Sequence, residues 1–166
     1  MKNIVLIGMP GCGKTSVGRR LAEKLNREFF DADVILESRE NKTIAELFAI
    51  GEDEFRDAEE RTITFLSELD GAVIATGGGV VLREENMENL AENGTIFFIN
   101  RPLEQIIGDV DTSTRPLLKD TDKKEKIYKL FKEREHLYRE YADFVVGEGP
   151  RFNEIVGEIL ALVGEE

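Results

Sequence analysis

The chain holds a single cysteine, Cys12, among its 166 residues, so no internal disulfide can form, which fits a reducing compartment. Long apolar runs are missing as well. Nowhere do about 18 apolar residues follow one another, as a membrane-spanning helix needs, and the N-terminal stretch lacks a signal-peptide pattern. A soluble cytoplasmic protein with no membrane partner is expected. Positive charge is scarce: 22 Lys and Arg stand against 34 Asp and Glu, for a formal charge of -12. That balance argues against non-specific nucleic-acid binding, because phosphate backbones are held by basic surfaces that release counterions. A small anionic ligand remains compatible, provided a local basic cleft exists, so the positions of individual arginines matter more than the total. Internal repeats, low-complexity tracts and interdomain linkers are absent.

What is present suffices for one sizeable core: 41% of the residues are hydrophobic, and one domain over 1–166 is expected. Apolar runs of strand length stand at 4–7, 73–75, 96–99 and 144–146, with a shorter piece at 28–30 that runs into "DAD". Helices fit best at 14–26, 43–50, 52–68, 84–92, 123–141 and 153–163. This alternation predicts an α/β fold, a parallel sheet of about five strands sandwiched between helices in three layers. Between 108 and 122 the text changes to "GDVDTSTRPLLKDTD", which reads either as a surface loop or as a mobile lid.

"GMPGCGKTS" follows the first apolar run and precedes a helical stretch. It fills every fixed position of G-x-x-x-x-G-K-[ST] in the strand-loop-helix context that gives the motif its meaning. Gly11, Cys12, Gly13, Lys14, Thr15 and Ser16 would then bring backbone N–H groups onto nucleotide phosphates. Lys14 can bridge the terminal phosphates, and the Thr15 hydroxyl can join a Mg²⁺ shell. Cys12, at a variable position with no activating base nearby in sequence, reads as a small filler rather than a nucleophile.

The remaining signals each admit two readings. Asp31 and Asp33 in "DAD" are either solvated turn residues or one carboxylate for a metal and its waters and one for a hydroxyl. Arg56 and Glu59, three apart on one helix face, are either a surface ion pair or a forked cation for a substrate carboxylate held by its partner. Gly77, Gly78 and Gly79 in "ATGGGVVL" are a tight turn or a place where backbone N–H groups approach a ligand at the C-terminal end of a strand. Arg115 before Pro116 in the presumed lid can neutralise charge on a transferring phosphoryl group. Arg134 in "KEREHLYREY" is a solvated helix residue or a second cation. His136 beside it reads as an ordinary helix residue, and Tyr128, Tyr138 and Tyr141 as apolar-face positions of the same helix.

In this order, "GMPGCGKTSVGRRLA", "FFDADVILE", "GEDEFRDAEE", "ATGGGVVL", "TRPLL" and "REHLYREYAD" closely resemble the shikimate kinase family of small P-loop kinases, over essentially the whole chain. The resemblance implies a P-loop kinase fold with strand order 2-3-1-4-5, a lid near 108–122 and a monomer. It implies transfer of the γ-phosphoryl group of ATP to the 3-hydroxyl of shikimate, with Mg²⁺, in the route to chorismate and aromatic amino acids. By the same resemblance Asp33 matches the residue that binds substrate hydroxyls and is a candidate proton acceptor. Arg56 and Arg134 match the pair that grips the substrate carboxylate, with Glu59 as support and Gly78 and Gly79 lining the pocket. Asp31 matches the acidic position near Mg²⁺, alongside Thr15, and Arg115 the lid arginine that reaches the phosphates.

The chain departs from the family pattern at the start of the lid. Many members carry an adenine-stacking arginine there, whereas this chain reads Ile106-Ile107-Gly108-Asp109-Val110. Arg151, in "GEGPRFNEI", is the candidate that could take part in holding the base. Two other functions share some of these features: a kinase of gluconate or a nucleotide, and a nucleotide-binding regulatory module without catalysis. The first would not combine Asp33, Arg56, the glycine run and Arg134; the second would be expected to show damage at Lys14, Thr15, Asp33 or the lid arginine.

Overall fold

The structure, a computed structural model, describes residues 1–109, 120–149 and 151–164. Its strands are β1 (Asn3–Ile7), β2 (Phe29–Asp31), β3 (Val73–Ala75), β4 (Gly94–Ile99) and β5 (Phe144–Val146), all parallel, in the order β2-β3-β1-β4-β5. The helices are α1 (Lys14–Leu25), α2 (Ala32–Glu40), α3 (Ile44–Ile50), α4 (Glu52–Ser67), α5 (Glu84–Glu92), α6 (Leu103–Asp109), α7 (Asp120–Tyr141) and α8 (Ile155–Val163). Right-handed crossovers explain the layering. The step from β1 to β2 runs opposite to every later step, so α1 lies on one face with α8 packed beside it, and α4, α5 and α7 cover the other. Among the described residues no helix is long and apolar enough to cross a membrane.

Strand β1 is buried at every position, as a central parallel strand covered on both faces must be. Its neighbours are in register at Val5, opposite Ile74 on one side and Ile96 on the other. Asp31 at the end of β2 pairs with Ala75 at the end of β3. The segments leaving β1, β2 and β3 therefore emerge side by side at the carboxyl edge of the sheet, where open α/β sheets bind ligands. A second, small apolar cluster of Leu36, Leu47, Phe55 and Ala58 locks α2, α3 and α4 together. Each of its large side chains contributes about 1.5–3 kcal/mol by burial, and together they fix the helices that carry Asp33 and Arg56.

Two helices escape the sequence pattern. Residues 32–40 bury only Ala32 and Leu36, too thin a stripe for periodicity to register. Their start is dictated instead by Asp31, whose side chain accepts from the Asp33 N–H and caps α2. Asp31 and Asp33 are thus helix-start residues rather than turn residues. The seven-residue α6 follows Pro102 and takes in Gly108 and Asp109, while α7 begins at Asp120. Of the expected lid at 108–122 this leaves 110–119, and with them Arg115, outside the described residues.

Candidate active site

The loop between β1 and α1 wraps the start of α1. Gly13, its N-cap residue, sits at φ 96°, a left-handed conformation that L side chains rarely adopt. The Phe152 ring lies against it, where a Cβ would stand 2.5 Å from Cε2. Lys14 is buried, and its ammonium donates to the carbonyls of Gly8 at 2.6 Å and Met9 at 3.0 Å. Cys12 is fully buried, 3.9 Å from Lys14 Nζ at its sulfur, and serves the packing of the loop, as expected of a filler.

The Thr15 hydroxyl donates to Asp31 Oδ2 at 2.9 Å, while Asp31 Oδ1 accepts from the Asp33 N–H at 3.0 Å. One carboxylate therefore joins the starts of α1 and α2. Asp33, half-buried, has its pKa raised, first by burial and then by the nearby Asp31 charge, with Lys14 and Arg56 pulling the other way. On α4, Arg56 Nη1 donates to the buried carboxylate of Glu59 at 3.0 Å. The Arg56 side chain is only 11% exposed, and its Nε, 3.8 Å from Glu52, makes no hydrogen bond. Glu59 also has a raised pKa, caused first by burial; Arg56 and then Arg134 offset it, and Asp33 adds to it. Asp33, Arg56, Glu59 and Arg134 thus fall within electrostatic reach of one another.

The glycine run is the surface on which these parts meet. A Cβ on Gly77 would stand 3.1 Å from Asp33 Oδ1 and 3.3 Å from Glu59 Oε2. On Gly78 it would stand 2.7 Å from the Pro10 ring, and on Gly79 it would overlap the Arg56 guanidinium. The triplet forms a turn, the Val80 N–H donating to the Gly77 carbonyl at 3.2 Å, and its packing leaves no room for side chains at 78 and 79. A cavity of about 380 Å³ follows, lined by Gly11, Gly13, Lys14, Thr15 and Ser16 on one wall and by Asp31, Asp33, Thr76, Gly77 and Gly78 on the other.

Three features were not singled out from sequence. Tyr138, read as an apolar-face residue, is fully buried yet donates its hydroxyl to the Gly78 carbonyl at 2.6 Å. Its spacing of four from Arg134 puts both on one helix face, a signal that could have found it. Pro10 touches the glycine run. Arg101, at 6% exposure, lies with its guanidinium 4.4 Å over the Phe152 ring. By contrast Arg151 has a side chain 75% exposed, 3.9 Å from Glu154, and His136 is exposed.

A phosphate-binding loop facing Asp31, Asp33 and the glycine run across one cavity, with the Arg56 guanidinium packed against Gly79, on a sheet of order 2-3-1-4-5, defines a P-loop kinase of small molecules. The family model for shikimate kinase matches residues 10–163. A shikimate kinase of Clostridium botulinum (strain Eklund 17B / Type B) is 48% identical over 164 residues, covering 98% of each chain. That of Clostridium beijerinckii is also 48% identical, over 98% of this chain and 96% of its own. Among solved structures, the shikimate kinase of Acinetobacter baumannii in complex with shikimate superposes with a TM-score of 0.88 at 34% identity, covering 99% of this chain and 94% of that one. The chain belongs to the shikimate kinase family.

The raised pKa of Asp33 has a testable sign. Between the ordinary aspartate value, about 3.9, and the raised native value the folded chain holds the proton more tightly than the unfolded chain. Stability from this group is then present at lower pH and declines as pH rises through that window. Carbon-13 NMR titration of the Asp33 carboxyl should give a midpoint above the ordinary value; a midpoint at or below it would contradict the burial and the Asp31 contact.

Proposed function

We propose that the chain transfers the γ-phosphoryl group of ATP to the 3-hydroxyl of shikimate, giving shikimate 3-phosphate and ADP. The observation that carries this reading is Arg56: a nearly buried guanidinium backed by Glu59, with Gly79 packed against it and Asp33 close by, next to a phosphate-binding loop. Shikimate is a hydroxylated monoanion, so it needs forked cationic donors at one end and acceptors at the other. Arg56 and Arg134 take the carboxylate. Asp33 orients the reacting hydroxyl and accepts its proton as the oxygen attacks the γ-phosphorus and the bond to the β,γ-bridging oxygen breaks. The raised pKa of Asp33 keeps it a better base than a solvated aspartate.

On the donor side the N–H groups of Gly11 to Ser16 cradle the phosphates, and Lys14 exchanges its carbonyl partners for phosphate oxygens. Mg²⁺ fits this donor set: both Asp31 oxygens already serve Thr15 and the Asp33 N–H, which suits an ion that keeps its waters and arrives on phosphates. Thr15 would contact it directly and Asp31 through water, and when bound the ion neutralises charge on the β- and γ-phosphates. Arg115, which lies outside the described residues, is the candidate for a further cation that neutralises charge on the transferring phosphoryl group. The protein works in the cytoplasm as a monomer and as a single domain.

At the base end of the nucleotide the family's lid arginine is replaced by Gly108 and its neighbours. Arg101, held over Phe152 beside Gly13, and Arg151, which precedes Phe152, take its place. Because Arg101 is buried and Arg151 exposed, Arg101→Ala should raise KM for ATP more than Arg151→Ala does, with KM for shikimate held within about twofold. Equal values of KM for ATP in both variants and the parent would refute this assignment.

The function itself is tested by incubating the chain with ATP, Mg²⁺ and a panel of shikimate, gluconate and nucleoside monophosphates. Product is expected with shikimate alone, falling by roughly 10²-fold or more in Lys14→Ala. Arg56→Ala should raise KM for shikimate about 10- to 100-fold, the loss of a charged forked contact, with KM for ATP nearly unchanged. No shikimate 3-phosphate above the Lys14→Ala level would overturn the reading.

A further inference from the structure

Tyr138 carries a buried polar group that phosphoryl transfer leaves unused. Its ring is fully buried on α7 and stacks on Phe98 of β4, with centroids 5.0 Å apart. Phe98 is itself fully buried, so the ring cannot swing away without opening the core. The hydroxyl donates to the Gly78 carbonyl at 2.6 Å. Burial pushes its pKa up to about 12, and Arg134, one turn back on the same face, acts on the same oxygen in the opposite sense. The hydroxyl therefore stays protonated and remains a donor. In a trans peptide the carbonyl and the following N–H point in opposite directions. With the Gly78 carbonyl turned to α7, the Gly79 N–H is turned away from α7, and it has no acceptor among the described residues. Gly79 is the residue packed on the Arg56 guanidinium, and Gly78 the one packed on Pro10.

We infer that Tyr138 is a positioning residue for the acceptor pocket: its hydroxyl fixes the Gly78–Gly79 peptide so that the Gly79 N–H joins Arg56 as a donor to the substrate anion, and ties that peptide to the helix bearing Arg134. The inference rests on the reading above that Arg56 and Arg134 hold the substrate carboxylate. A phenylalanine at 138 would keep the ring and its stacking and free only the peptide.

The test is steady-state kinetics of Tyr138→Phe with both substrates varied, beside Arg134→Ala and Phe98→Leu. Tyr138→Phe should raise KM for shikimate about five- to tenfold, the loss of one buried hydrogen bond, while KM for ATP stays within about twofold. Phe98→Leu, which loosens the same packing but keeps the hydroxyl, should lower the melting temperature without that selective rise. A Tyr138→Phe enzyme with unchanged KM for shikimate, or with both KM values raised equally, overturns the inference, as does a selective rise in Phe98→Leu equal to that in Tyr138→Phe. If Arg134→Ala leaves KM for shikimate unchanged, the carboxylate reading fails; if Arg134→Ala raises it and Tyr138→Phe does not, only the role of Tyr138 fails.

Discussion

The Asp31 carboxylate is shared between two helix starts, and the rest of the site depends on that sharing. One oxygen accepts from the Thr15 hydroxyl at the head of α1, the other from the N–H of Asp33 at the head of α2. Through this one group the phosphate-binding loop fixes where the neighbouring helix begins. Asp33, two residues on, is then delivered to the wall opposite Lys14. Sheet register sets the scale of this arrangement, because Asp31 leaves β2 in line with Ala75, and the glycine run leaves β3 just beyond.

The acidic chain places two cations with little exposure, Lys14 and Arg56, among the carboxylates of Asp33 and Glu59. The Arg56 side chain, 11% exposed, is paired with Glu59, and breaking such a buried pair typically costs about 3–5 kcal/mol, a large share of a domain's stability. The glycine run makes the arrangement possible sterically. Side chains at 78 and 79 would meet Pro10 and Arg56, so the backbone itself forms the wall between donor and acceptor halves. The small cluster of Leu36, Leu47, Phe55 and Ala58 keeps α2 and α4 from shifting against each other, and so keeps Asp33 and Arg56 in fixed relation.

Much of this was legible in the sequence where local chemistry decides the outcome. The five runs became the five strands: β1, β3 and β4 are buried at every position and carry near-continuous apolar text, while the edge strand β2 is half-buried and grows out of the shorter piece at 28–30. The phosphate loop was legible because its glycines, Lys14 and Thr15 are fixed by the geometry of the loop itself. Helices α2 and α6 were not, one with two buried positions and a cap supplied from the preceding strand, the other only seven residues long. Pairings across the fold were also hidden. No spacing rule joins Tyr138 to a carbonyl 60 residues earlier, or Arg101 to Phe152, because packing of α7 and of the C-terminal loop creates both. The ambiguity at Arg56 and Glu59 was one of burial, since a surface ion pair and a buried clamp have the same sequence.

A crystal structure of the chain with shikimate and ADP bound tests the substrate pose most directly. It should show the shikimate carboxylate paired with Arg56 and Arg134, a ring hydroxyl on Asp33, and the 3-hydroxyl facing the phosphates held by the loop at Lys14. A carboxylate bound away from Arg56, or a ring with no hydroxyl on Asp33, would contradict it.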